Sequence, residues 1–186
     1  MLEKEFFLRP TPEVAKDLLG KVLYRKTPEG IYRGIINETE AYHGMNDKAC
    51  HCSKGRTKRT DIMFKEGGNI YIYLIYGMYH MLNLTTCKEN FPGAVLIRGV
   101  AYPEFSKDGQ TFIPLSSKTD GPGKLTKTFQ IDKSLNTLPI HKISGLWVVD
   151  EGIMLKGFIS TPRIGIDYAQ EWKEKPWRFY VPPEKL

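Results

Sequence analysis

Cysteine is scarce in this chain: three among 186 residues, two of them within Cys50-His51-Cys52. Thiols so few and so close together exclude a disulfide framework and fit a reducing, cytoplasmic compartment. No apolar run approaches the roughly 18 residues of a membrane span, and Leu2-Glu3-Lys4-Glu5 does not resemble a signal peptide. Internal repeats, low-complexity segments and domain linkers are absent. So are the GxxxxGK[ST] spacing of a P-loop and the His-x-Glu with Pro-Cys-x-x-Cys of zinc deaminases. His43, Cys50, His51 and Cys52 make a poor zinc pattern, because paired ligands usually stand roughly two to four residues apart. No metal and no cofactor are expected.

What is present is ordinary in bulk. Hydrophobic residues at 41% and charged residues at 26% fit one globular domain spanning 1–186. A net charge of +6 favours a polyanionic partner without demanding one. Thr11-Pro12-Glu13 reads as a capped helix start, and Gly20 as its stop. Lys21–Arg25 and Ile31–Tyr42 read as strands about a turn at Thr27–Gly30, and Leu146–Asp150 with Met154–Ser160 as a hairpin around Glu151-Gly152. Phe179-Tyr180-Val181 is a short strand at the tail.

Five stretches carry chemistry. Ile70, Ile72 and Leu74 alternate with Tyr71 and Tyr73, and a second apolar run starts at Tyr79; the pattern predicts a hairpin turning near Gly77 with Tyr76 at its tip. Such rings suit either a tyrosine-rich core or stacking on bases. Glu38, Glu40 and Tyr42 share one strand face, which is either a solvated surface or a carboxylate poised over a pocket. The segment His43–Thr60 holds Lys48, Lys54, Arg56, Lys58 and Arg59 against the single acid Asp47, so it fits a phosphate-contacting loop or a merely solvated one. Arg98 interrupts the apolar strand Ala94–Tyr102 and needs an anionic partner if buried. Gly121-Pro122-Gly123-Lys124 opens a helix running to about Phe129 and offers free amides and a cation to a phosphate.

In these positions the chain resembles the mammalian-type alkyladenine (3-methyladenine) DNA glycosylases, which are distinct from helix-hairpin-helix glycosylases. The matching blocks are collinear: ETEAY (38–42), His51, Met63-Phe64, YIYLIYGMY (71–79), VLIR (95–98), GPGKL (121–125), then RIGI and RFYV near the end. The resemblance implies an enzyme that flips alkylated or deaminated purines from duplex DNA and hydrolyses the N-glycosidic bond, leaving an abasic site. It implies Glu40 as general base, with Arg98 and the Ile164 carbonyl holding the water. Tyr42, His51, Tyr73, Asn83, Leu96 and Tyr71 would form the base pocket, and Tyr76 and Met78 would enter the DNA. Lys54, Arg56, Lys58, Arg59 and Lys124 are the candidate backbone contacts. Cys50, where a small residue is usual, and His80 and Met81 depart from the mammalian pattern. The fold expected is α+β: one domain with a curved, mainly antiparallel, open barrel-like sheet, a few helices and a protruding β-hairpin. The partner expected is double-stranded DNA containing damaged purines, bound by a monomer with no membrane association, nucleoid-associated if bacterial and nuclear if eukaryotic. A non-catalytic lesion- or RNA-binding module is the competing reading.

Overall fold

The structure is a computed structural model describing residues 1–186. Helices α1 (Lys4–Phe7) and α2 (Thr11–Asp17) precede strands β1 (Val22–Thr27) and β2 (Gly30–His43). A segment with two short 3-10 turns leads to β3 (Ile70–Ile75), β4 (Tyr79–Thr86), β5 (Gly93–Ser106) and β6 (Ile113–Pro114). Helix α3 (Pro122–Thr128), β7 (Leu146–Val149), β8 (Ile159–Thr161) and β9 (Arg178–Tyr180) complete the chain. The nine strands form one open, antiparallel sheet in the order β3-β4-β5-β2-β1-β7, with β6 added to β5, and β9 and then β8 added to β2. The fold is therefore α+β, as the sequence predicts.

Strand β2 organises this sheet. Gly30–Ile35 pair with β1, Glu38–Glu40 with β9, and nearly the whole strand, from Ile31 to His43, with β5 on the other side. Three register shifts between β2 and β5 interrupt that long pairing. Such bulges bend and twist a strand, so β2 can serve two neighbours in succession.

Alternation decides what each face buries. Ile70 and Ile72 of β3, Val95 and Ile97 of β5, and Ala41 of β2 enter the main core with Val14 and Ala15 of α2 and Leu18 just after it, and with Leu125 of α3 and Phe129 just after it. The intervening residues face the other way. Tyr71 and Ala94 pack with Cys50, Cys52, Ile62, Met63 and Phe64 in a second cluster, where the segment after β2 folds back over the sheet. Tyr42 and Tyr73 border that cluster.

Two local expectations are corrected. Thr11 does not cap α2: its hydroxyl lies 2.8 Å from Thr86 Oγ1 and 2.9 Å from His43 Nδ1, fastening the helix to the sheet instead. The hairpin expected between Leu146–Asp150 and Met154–Ser160 does not form. Strand β7 pairs with β1, and β8 pairs with β9. Asp150 accepts from the Gly152 amide at 3.0 Å, a local turn that leads away from the sheet, and Met154 is 87% exposed. The two apolar runs are each drawn to an available strand edge elsewhere.

Ile97 is fully buried in the main core on the central pair of strands. Ile97→Ala is expected to cost about 2–5 kcal/mol, measured by denaturant unfolding; a loss below about 1 kcal/mol would contradict the packing described.

Candidate active site

The strand registers bring residues that are distant in sequence into one transverse row. Tyr71 on β3 lies opposite Asn83 on β4, Asn83 opposite Leu96 on β5, Leu96 opposite Glu40 on β2, and Glu40 opposite Arg178 on β9. Partners directly opposite project to the same side of a sheet, so the row lies on one face, where Leu96 and Glu40 line an open cavity and Tyr71 and Asn83 a small hollow behind it.

Arg98 reaches this face through a bulge. Glu38 pairs with Gly99 and Thr39 with Ile97, leaving Arg98 without an opposite residue. The extra residue re-aims its side chain toward the acids of β2. Arg98 Nε donates to Glu38 Oε1 at 2.8 Å, and its Nη1 lies 3.4 Å from Glu40 Oε1. Arg178 Nε also donates to Glu38 Oε1, at 2.6 Å. Burial works against the Arg98 charge, but the Glu40 and Glu38 carboxylates outweigh it and raise its pKa. The open question about this strand face is settled by these contacts: Glu40 is 0% exposed, and the face is not a solvated one.

Glu40 is held from several sides. Besides Arg98, the Ile164 N–H donates to Oε1 at 2.8 Å and the Tyr42 hydroxyl donates to Oε2 at 2.8 Å. Burial first, then the Glu40 charge, pushes the Tyr42 hydroxyl well above its usual pKa, keeping it a donor. The segment bearing Ile164 is fixed in turn by Arg163, which sequence reasoning left without a role. Arg163 makes a bidentate, fully buried ion pair with Asp47, at 2.6 and 2.9 Å, and donates to the Ala41 carbonyl at 2.9 Å. Its guanidinium lies 4.8 Å from the Tyr42 ring centroid and 5.2 Å from that of Trp177. The signal available in sequence was Asp47 itself, the only acid in a basic loop.

The aromatic wall comes from β3 and the loop. The His51 and Tyr73 rings meet edge to face at 4.5 Å between centroids, and His51 Nδ1 lies 2.9 Å from the Tyr71 hydroxyl. Cys50 and Cys52 are buried behind this wall, with Cys52 Sγ donating to the Gly44 carbonyl at 3.3 Å. Nowhere do three His, Cys, Asp or Glu side chains gather in a metal-holding arrangement. Asn83 is buried beside the wall and donates to the carbonyls of Tyr71 and Met81 at 3.2 and 3.1 Å.

These groups surround an open cavity of about 600 Å³, within the range of sites that accept a drug-sized or nucleobase-sized ligand. Glu40, Tyr42, His51, Tyr73, Leu96, Arg98, Ile164, Arg59, Tyr76 and Lys124 all line it, whereas Tyr71 and Asn83 line a hollow of about 20 Å³ behind it. Tyr168 and Met81, not anticipated, complete part of the wall. At the hairpin tip Tyr76 is 82% exposed, and Met78 is also exposed outside the cavity. Tyr76 and Gly77 both have positive φ, 52° and 68°, and the Met78 amide bonds the Ile75 carbonyl at 3.2 Å. A primed turn is built this way, but its first central position usually carries Gly, Asn or Asp. Lys54, Arg56 and Lys58 are exposed on the loop outside the cavity, Arg56 paired with Asp61 at 2.7 Å; Lys124 pairs with Asp120 at 2.9 Å.

The methylpurine-DNA glycosylase family model matches residues 5–185. A relative from Methanocella arvoryzae is 47% identical over 184 residues, covering 97% of this chain and 92% of the relative. One from Clostridium novyi is 42% identical over 196 residues, 99% of this chain and 96% of its own. One from Sodalis glossinidius is 44% identical over 179 residues, 96% and 95% of the two chains. All three relatives are provisionally named 3-methyladenine DNA glycosylase.

Burial of the imidazole, then the nearby Arg59 charge, lowers the His51 pKa from 6.5 to about 4. The unfolded chain therefore takes up this proton first. The stability contributed by neutral His51 is complete above about pH 6.5 and is lost as pH falls through about 4. NMR titration of the His51 ring is expected to give a midpoint near 4; a midpoint near 6.5 would contradict its burial.

Proposed function

We propose a division of labour among these residues from the premise that the chain belongs to the methylpurine-DNA glycosylase family. The protein is a DNA repair enzyme, a DNA-3-methyladenine glycosylase that hydrolyses N-glycosyl bonds. Its substrate is duplex DNA carrying an alkylated or deaminated purine. The damaged nucleotide rotates out of the stack into the cavity, as chemistry on a base in a duplex requires. Tyr76 enters the space left behind, Met78 packs beside it, and Lys54, Arg56, Lys58 and Lys124 meet phosphates.

Inside the cavity Tyr42, His51 and Tyr73 hold the purine, with Tyr71 and Leu96 shaping the wall. Asn83 lies at the purine's minor-groove edge and crowds the exocyclic amine of a normal guanine. Electron-rich rings attract an electron-poor, alkylated base. Glu40 takes a proton from water as that water attacks C1′, and its charge opposes the positive charge growing on the sugar. Arg98 and the Ile164 carbonyl position the water. No lysine is assigned as a Schiff-base nucleophile, so the product is an abasic site in an uncut strand.

The observation that carries this reading is the position of Glu40. A carboxylate without solvent exposure is costly to bury, yet this one forms part of the wall of an open cavity, held by Arg98, Tyr42 and the Ile164 amide. Glu40→Gln is expected to bind lesion duplex while losing about 10²–10⁴ in single-turnover base release. Release is read by alkali cleavage of duplexes bearing one hypoxanthine or ethenoadenine. Undiminished release would remove Glu40 from the mechanism, and tight binding without release by the unsubstituted protein would favour a non-catalytic lesion binder. Tyr76→Ser is expected to weaken lesion-duplex binding about tenfold, in line with one lost stacking ring, as read by fluorescence titration. Equal affinity would exclude Tyr76 as the wedge.

A further inference from the structure

We infer that Arg59 selects among damaged purines, favouring neutral bases that keep acceptor atoms over bases that carry a positive charge. The inference rests on the assignment of the cavity as the base pocket.

Four charged side chains line that cavity: Glu40, Arg59, Arg98 and Lys124. Glu40 faces Arg98, and Lys124 is paired with Asp120. Arg59 has no carboxylate within ion-pair distance, although Arg56, Arg98, Arg163 and Arg178 all do. Its neighbours are aromatic. The guanidinium carbon lies 5.3 Å from the Tyr73 ring centroid, and Nη2 lies 3.3 Å from both ring nitrogens of His51. Those neighbours carry no balancing charge: His51 is depressed to about 4 by burial and by Arg59, and burial raises Tyr71 and Tyr73.

Two consequences bear on the base. A cationic purine entering between Tyr73 and Tyr42 meets a fixed like charge, and the cation–π attraction of Tyr73 is already directed at Arg59. A purine alkylated at N7 has also lost the ring acceptor that a guanidinium can use. A deaminated or etheno-bridged purine is neutral and retains acceptors, which suit the planar donor fork of arginine. Because Arg59 is exposed to solvent at the cavity mouth, screening limits the effect to about tenfold.

The test compares single-turnover base release from one duplex sequence carrying hypoxanthine, ethenoadenine or 7-methylguanine. In Arg59→Met the ratio of neutral to cationic excision is expected to fall about tenfold. Arg59→Lys, which keeps the charge without the fork, is expected to retain discrimination against 7-methylguanine. If Arg59 only contacts phosphate, Arg59→Met lowers all three rates together, leaves their ratios unchanged and reduces the salt dependence of binding by about one phosphate contact. That outcome overturns the inference while leaving the base pocket intact. Absence of release from every duplex by the unsubstituted protein would instead overturn the pocket assignment.

Discussion

A carboxylate buried beneath an open cavity is the constraint on which this architecture depends. Glu40 cannot be withdrawn from water without donors, and no single element supplies them. Tyr42 comes from the same strand, Arg98 from a bulge on the neighbouring strand, and the Ile164 amide from the segment leading toward the tail. Each donor has its own requirement. Arg98 is steadied by Glu38, which also engages Arg178 of β9. The Ile164 segment is anchored by Arg163, and Arg163 by Asp47 in the loop that also bears His51. The acid and the aromatic wall are thus two ends of one network. Losing one partner of the buried Arg163–Asp47 pair would cost about 3–5 kcal/mol, enough to disturb both ends.

Much of the sheet was legible because alternation is a strong signal. The period of two in Ile70–Leu74 separates the aliphatic from the tyrosine face, and the separation holds at Ile70 and Ile72 against Tyr71 and Tyr73. Where alternation is interrupted, the sequence is silent. Nothing local marks Arg98 as a bulged residue rather than the next rung of a ladder, because that depends on the register of β2 opposite it. Arg163 and Asp47 lie 116 residues apart, so the lone acid of the basic loop signals a partner without identifying it. The supposed hairpin at Leu146–Ser160 failed for a related reason. Two apolar runs about an acid-glycine pair look alike whether they pair with each other or with distant strand edges, and here β1 and β9 offered the edges. The family resemblance supplied the roles; the physics of the isolated segments left the acidic face and the tyrosine hairpin open.

The hairpin carries two tyrosines under opposite constraints. Tyr73 is largely enclosed, with its ring against His51 and its hydroxyl raised in pKa by burial and by Tyr71. Tyr76, three residues later, projects into solvent from a left-handed backbone position. A bulky residue is disfavoured there, and the free protein gives it no packing in return. Asparagine or glycine would make the better turn. A ring retained in that position is therefore explained by something outside the folded chain, and the adjoining cavity gives its direction. The β-turn supplies rigidity, the strand supplies reach, and the tyrosine supplies an apolar surface that water cannot satisfy. An exposed ring at the rim and a buried acid at the floor both cost stability in the free protein, and the mechanism proposed above accounts for both at once: in it a flipped nucleotide's vacated stack receives Tyr76, and its glycosidic bond lies over Glu40.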